Sequence, residues 1–343
     1  MRIKEVANML NLSPRAIRFY EEQGLLAPSK DKTNRYRTFT EQELERLRTI
    51  ISLREAGMPL EHIKQWLDGS SDETEARDEL LRFLEMRRSA IVADWIEMKQ
   101  VIETTDRMLL LLKDRDKEIP YADLFQLADD SRQLREQRKN WLDRWNYDLL
   151  ADHHDERVRA SSGTFADYEE ALELVAEWLS PIPGETGLDL GVGTGNLASK
   201  LLDRGARMCG VDQSAKMLEQ CAAKLPELET KLGNMLAVPY TNGQFDFIAS
   251  SFAFRHLSAE QQPLALEEMR RVLKPHGRIS IADLFSLSDA DSDLDDSDPM
   301  SGYPKLPTVI RWLEAHGYMT RARRINDMLH LVCAVPIRPQ NRY

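Results

Sequence analysis

Residues 188–195 read Leu188-Asp189-Leu190-Gly191-Val192-Gly193-Thr194-Gly195. Glycines this close together let the backbone approach a ligand without side-chain obstruction. Seventeen residues beyond Gly195, Val211-Asp212 ends the next strand-like run, where an acid can accept both hydroxyls of a ribose. That pair is compatible with NAD, but a dinucleotide fingerprint needs GxGxxG, and position 196 is Asn with no glycine after it. Two other clusters invite metal chemistry. His153-His154-Asp155 is a polar segment in which adjacent histidines more often face solvent. The run Asp289 to Asp298 holds six Asp in ten residues, yet it fits a calcium loop in neither register, since Leu294 or Asp296 falls at the glycine position. It reads as a solvated acidic loop. Cys209, Cys221 and Cys333 lie far apart with no CxxC, against a disulfide framework and a cysteine zinc site. No metal is expected.

From Trp141 onward the texture is one of alternating strands and helices. Strand-like runs sit at 187–190, 207–211, 229–233, 245–250, 278–284, 320–325 and 329–335, with helical patterns between most of them. That alternation predicts an α/β doubly wound parallel sheet ending in a hairpin, which sets the glycine run at the end of one strand and Asp212 at the end of the next.

Trp145-Asn146-Tyr147-Asp148, the run Asp189 to Gly195, Gly210-Val211-Asp212, Gly233-Asn234, Phe245-Asp246-Phe247-Ile248, Arg255-His256-Leu257 and Arg271 to Arg278 follow in order. Together they resemble a class I methyltransferase of the small-molecule type, with a Rossmann-like fold. The resemblance implies S-adenosylmethionine as cofactor, with Asp189, Gly191, Gly193 and Gly195 at its methionine portion and Asp212 at its ribose. It implies Asn234 and Met235 at the adenine edge, and Tyr147 closing the pocket from the N-terminal side. The chain departs from the family pattern at Asn234, where Asp is common, and at Arg255, where His is common; the second change faces the substrate. Because a sulfonium already activates the methyl group, positioning can supply most of the acceleration. His256 is the candidate if a general base exists.

The first seventy residues read as short helices. Ile3, Val6, Ala7 and Leu10 repeat at helical spacing, and Ser13-Pro14 can cap and open a second helix that Gly24 ends. Residues 28–39 are polar and basic, with Lys32-Thr33-Asn34-Arg35 as a hairpin turn. Thr40-x-x-Glu43 is a capping box that opens the next helix. The text Ser13 to Leu26, Asn34 to Phe39 and Gly57 to Ile63 closely resembles the MerR family of transcription regulators over about residues 1–68. That resemblance implies a winged helix-turn-helix dimer on palindromic promoter DNA, with Arg15, Arg18, Tyr20, Tyr36 and Arg37 as DNA contacts. Phe19 is read equally as contact or core. A long helix over 73–114 follows, where the family has its dimerisation helix. Positions 81, 84, 88, 91, 95, 98, 102, 105, 109 and 112 form a heptad seam with eight apolar residues in ten, a coiled-coil signal. The seam would run about 48 Å at ~1.5 Å per residue.

Charge agrees with this division. The net charge of −11 hides a basic head, since residues 1–40 carry eight Lys/Arg against four acids. A basic head on an acidic body suits one domain that binds nucleic acid and one that does not. No stretch approaches the roughly 18 apolar residues of a spanning helix, and no signal-peptide pattern opens the chain. The expected organisation is therefore a cytoplasmic homodimer without membrane contact. Residues 1–70 form the DNA-binding domain, 71–116 the dimerisation coiled coil, 117–140 a connector with a short helix, and 141–343 the methyltransferase domain. Its effector domain is expected to methylate a small molecule, or alternatively to sense S-adenosylmethionine, its demethylated product or another ligand without turnover.

Overall fold

The computed structural model describes residues 1–30, 36–68, 73–113, 121–139, 147–287 and 303–337. The turn Lys32 to Arg35, the pair Trp145-Asn146 and the acidic run Asp289 to Asp298 lie outside the described residues. Two compact units divide the chain, Met1–Arg87 and Arg88–Tyr343, with the division inside the long helix.

In the first unit, helices α1 (Ile3–Met9) and α2 (Pro14–Glu22) are joined by a turn in which Asn11 takes a left-handed φ of 51°. The Ser13 hydroxyl accepts from the Ala16 amide at 3.1 Å, and Pro14 occupies the first helical position, as the sequence predicts. Strands β1 (Ser29–Lys30) and β2 (Arg37–Thr38) pair antiparallel as a small wing. The Thr40–Glu43 box opens α3 (Glu41–Glu55), and α4 (Leu60–Asp68) completes the unit. Ile17, Leu44, Leu47, Ile50 and Ile63 are fully buried between these helices. Arg46 ties the unit's ends together, donating to the carbonyls of Leu25 and Leu67 and pairing with Asp68.

Helix α5 (Glu73–Leu112) runs 40 residues. Seven of its eight apolar seam residues, Leu81, Ile91, Trp95, Met98, Ile102, Leu109 and Leu112, are 43–61% exposed in the single chain. The stretch expected as a connector with a short helix is instead mostly α6 (Tyr121–Lys139), 19 residues long. Its charge density masks a stripe of Leu124, Leu127, Ser131 and Leu134 at 3–4 spacing, of which Ser131 is buried and Leu134 packs against the core of the second unit.

That core is a seven-stranded sheet: β3 (Thr186–Leu190), β4 (Arg207–Asp212), β5 (Glu229–Leu232), β6 (Phe245–Ser251), β7 (Leu273–Leu284), β8 (Tyr318–Arg324) and β9 (Leu329–Pro336). Their order is β5-β4-β3-β6-β7-β9-β8, with only β9 antiparallel to its neighbours. All seven predicted runs are strands, and the closing hairpin is present. Alternation along the strands sends Phe247, Leu331 and Cys333 to one face and Ile248, Ile279 and Ile281 to the other, while an irregularity in β6 between Phe245 and Phe247 sets Phe245 on the second face as well. The helices Tyr168–Leu179 and Asn196–Leu202 cover the first face, and the helices Gln261–Val272 and Leu306–Ala315 the second. Because the chain winds outward from β3 to β5 and then returns to β6, the C-terminal ends of β3 and β6 open a crevice.

Gly187 of β3 lies opposite Phe247 of β6, and a Cβ there would stand 2.2 Å from that ring. The ring is fully buried and cannot swing clear. Gly187→Ala should therefore cost about 1–3 kcal/mol by overpacking, read from the urea midpoint of the second unit. An unshifted midpoint would show that the β3–β6 contact is looser than this packing implies.

Candidate functional site

The crevice holds a pocket of about 1190 Å3, its open mouth included. Gly191 and Gly193 line it with φ of 79° and 52°, so backbone rather than side chain meets its interior. A Cβ on Gly191 would stand 2.3 Å from that of Ala253, which explains why the loop requires glycine at that point. Asp212, at the end of β4, accepts from the Gly193 amide at 2.8 Å and from the Ser214 amide at 2.9 Å. One carboxylate thus orders the glycine loop from the neighbouring strand.

Tyr147, Asn234, Met235 and His256 also line the pocket. Two of the residues expected there do not. Asp189 is fully buried beneath the loop, and Gly195 caps the helix Asn196–Leu202 with φ 87°, where a Cβ would strike Leu225 and Cys221. The constraint on Gly195 is packing, not ligand approach. Asn234 differs from expectation in another way. Its Oδ1 accepts from the amides of Leu236 (2.8 Å) and Ala237 (3.0 Å), an arrangement typical of short side chains that satisfy their own loop. That oxygen serves its own loop, so at an adenine edge the side-chain amide hydrogens are the groups left to act.

Several lining residues carried no signal in sequence, and His154, expected to face solvent, is half-buried in the lining. His154, Phe165, Tyr168 and Phe252 come from three separate segments and form an aromatic wall, with ring centres 5.0–6.1 Å apart. Phe252 follows β6 with a left-handed φ of 54°, uncommon for a bulky residue. The segment bearing Tyr147 and His154 is pinned across the glycine loop. Asp148 accepts from the Ser214 hydroxyl at 2.5 Å, and Asp155 from Thr194, Asn196 and Lys224 at 2.5, 3.0 and 2.7 Å. Against the opposing effect of burial, those three donors bring Asp155 down to about 2.

The aromatic side of the pocket is held neutral. Burial pushes Tyr147 up to about 12 and His256 down to about 3, Arg255 adding to the latter, and burial also lowers His154. The Tyr147 hydroxyl and His256 Nε2 are 2.5 Å apart. With tyrosine protonated, the hydroxyl donates and Nε2 accepts, a tautomer assigned from this bond. The expectation of His256 as a base therefore meets an obstacle: its lone pair is engaged, and it binds protons weakly.

The expected DNA contacts spread over α2 and the wing. Arg15 and Arg18 project from one exposed face of α2, and Phe19 stands with them, 45% exposed, rather than in the core. Tyr20 instead packs partly against the core. Tyr36 is exposed beside Arg2, whose guanidinium lies 5.6 Å from its ring centre, while Arg37 pairs with Glu21 at 2.5 Å. Among the described residues no group of His, Cys, Asp or Glu is arranged to hold a metal, and no helix is long and apolar enough to cross a membrane.

Burial, and next the charge of Asp212, push Asp189 up to about 8. A group whose folded pKa is raised gives stability that is fully present below its unfolded value and lost as pH rises through the folded one. Asp189 should thus weaken the ligand-free protein between about pH 4 and 8. Asp189→Asn should flatten that decline in urea titrations at pH 5.5 and 8.5, and an identical decline in both proteins would remove Asp189 as its source.

Comparison with known proteins matches the description "MerR HTH family regulatory protein" over residues 1–70 and "MerR, DNA binding" over 44–104. "Methyltransferase domain" matches over 188–277. A protein of Geobacillus kaustophilus named an uncharacterized methyltransferase is 37% identical over 40% of this chain, which spans 61% of that relative's length. Another of Bacillus subtilis is 30% identical over 50% of this chain and 89% of its own. A solved SAM-dependent methyltransferase from Aquifex aeolicus aligns with a TM-score of 0.42 and 21% identity, covering 53% of this chain and 98% of that one. The chain belongs to the methyltransferase family through its C-terminal sheet and carries, fused at its N-terminus, a helix-turn-helix region of the MerR family.

Proposed function

We propose that the protein is a dimeric, DNA-binding transcription regulator whose second unit binds S-adenosylmethionine and methylates a small molecule. The observation that carries the cofactor reading is the carboxylate of Asp212 fixing Gly193 at the crevice between β3 and β6. An acid at that place, beside exposed backbone, suits a ribose and the chain attached to it. When bound, S-adenosylmethionine would supply an electrophilic methyl group. Asp212 would hold the ribose, and Gly191 and Gly193 would admit the methionine portion. Asp189 would offer a negative charge to its ammonium group. Neither oxygen of Asp189 has a hydrogen bond of good geometry among the described residues, a costly state for a buried carboxyl that a cation relieves. Asn234 and Met235 would flank the adenine. Tyr147 and His256 would shape the acceptor side as a neutral, bonded pair, so that rate comes from positioning. In calorimetry, Asp212→Ala should lose two charge-assisted bonds of roughly 1.5–3 kcal/mol each and weaken S-adenosylmethionine at least about tenfold, with operator binding of the empty protein unchanged. Equal affinity in both proteins would remove Asp212 from the site. Cofactor-dependent promoter output without any methylated acceptor would replace the enzyme by a sensor.

The DNA reading rests on Arg15 and Arg18 sharing the open face of a capped second helix. The exposed seam of α5 supports dimerisation, because seven large apolar residues on one helix are expected to find a partner. Leu109 is 51% exposed, so Leu109→Glu leaves the single chain's packing intact. Light scattering should then report monomers, and operator affinity should fall. A persisting dimer would place the interface elsewhere.

A further inference from the structure

A single arginine holds the loop that carries Asn234, Met235 and Leu236, three residues of the pocket lining. Arg271, near the end of the helix Gln261–Val272, donates from Nη2 to the Val238 carbonyl at 2.9 Å and from Nη1 to the Tyr240 carbonyl at 2.7 Å. Nη1 also donates to Asn242 Oδ1 at 3.1 Å. Two further bonds go to Glu268, from Nε at 2.9 Å and Nη2 at 2.7 Å, and Glu268 accepts from the Val238 amide at 3.0 Å as well. Together they use all five N–H donors of the guanidinium. The edge of the group is thus spent on the loop and on Glu268, and the side chain is only 7% exposed.

An aromatic ring of the long helix meets this cation. The guanidinium lies 5.3 Å from the ring centre of Trp95, which belongs to α5 and to its heptad seam. One heptad earlier in the same seam stands Arg88; burial pushes the Tyr240 hydroxyl up, and the Arg88 charge acts against that push. Two seam positions therefore bear on one loop. Trp95 is still 43% exposed in the single chain, so its ring is only partly shielded from water. A contact between a cation and a ring strengthens as water is excluded from it. A second copy of the chain laid along the seam supplies that exclusion. No residue of α5 is among the described residues of the pocket lining, so an effect of the seam on a ligand must pass through Arg271 and its loop.

We infer that dimerisation along α5 prepares the cofactor pocket: a second chain on the seam seats Trp95 against Arg271, Arg271 fixes the loop bearing Asn234 to Leu236, and the dimer binds cofactor more tightly than the single chain. This rests on the dimer and methyltransferase readings above and adds how the one regulates the other. A loop ordered in advance leaves a ligand less to order, which is the source of the tighter binding. Linkage makes the effect reciprocal, so cofactor strengthens the dimer by the factor that dimerisation strengthens cofactor binding. Trp95 acts here as a positioning residue, through Arg271, and touches no ligand itself.

The test is calorimetric titration of the full chain with S-adenosylhomocysteine, beside light scattering of each protein. Monomeric Leu109→Glu should bind the ligand at least about fivefold more weakly than the wild-type dimer. Trp95→Leu keeps an apolar residue in the seam and removes the ring from Arg271, so it should remain a dimer and show a loss of similar size. Trp95→Phe should recover most of that loss, because a phenyl ring also presents a face to a cation. In sedimentation, ligand should lower the concentration at which the wild-type dimer dissociates. Equal affinity in the wild-type dimer and the Leu109→Glu monomer, or wild-type affinity in dimeric Trp95→Leu, would each overturn the inference. A Leu109→Glu protein that stays dimeric would instead sink the dimer reading beneath it, and a wild type that binds no S-adenosylhomocysteine the methyltransferase reading.

Discussion

Asp212 stands at the end of β4, and its carboxylate accepts from Gly193 across the sheet and from Ser214 along its own chain. The glycine loop cannot hold itself, since residues with positive φ and no side chain lose more freedom on ordering than any others. A charged acceptor fixed by a strand end supplies the restraint. Most of the pocket depends on that restraint, because Thr194 and Asn196 reach Asp155 only from an ordered loop, and Asp155 in turn pins the segment carrying Tyr147 and His154. One acid therefore has two structural consequences: a preformed cradle of backbone, and a wall laid over it.

The sheet makes that restraint possible by being rigid where the loop is not. Two apolar layers, one on each face, bury β3 and β6 so completely that Leu188, Leu190, Phe247 and Ile248 have no exposure. Gly187 lets β3 and β6 approach under Phe247, and the pairing of the two strands ends at Asp189 and Ala249, ahead of the glycine loop. Burial then sets the chemistry. A pocket lined on one side by aromatic rings disfavours charge, so Tyr147 keeps its proton and His256 refuses one. Beside this neutral side, Arg255 and Asp283 form a buried ion pair, Nη1 and Oδ1 standing 3.8 Å apart.

The long helix obeys a different logic. Its heptad seam is largely exposed in the single chain, although Trp95 within it carries the Arg271 guanidinium 5.3 Å from its ring centre and the adjacent Ile96 is buried. A helix with one face engaged and another left apolar in solvent is incomplete by itself. The small helical unit at the N-terminus shows the same economy, burying Ile17 while presenting Arg15, Arg18 and Phe19 outward from the same helix.

Local chemistry determined much of this in sequence. Caps at Ser13 and Thr40, the heptad over α5, and the seven strand runs are written in spacings of two, three and four residues, which single elements read without help. Glycine spacing and an acid at the next strand end likewise announced the cradle, because backbone conformation and strand order are nearly local facts. The tertiary structure decided the rest. Asp189 and Gly195 belong to the same motif as Gly191 and Gly193, yet Asp189 lies fully buried beneath the loop and packing against Leu225 and Cys221 is what holds Gly195. Asn234 gives its acceptor to its own loop. His154, Phe165, Tyr168 and Phe252 share no spacing, and only the winding of the sheet brings them together. Whether His256 is a base depended on a tyrosine 109 positions earlier, and a contact of that range leaves no periodicity in a sequence for any pattern to find.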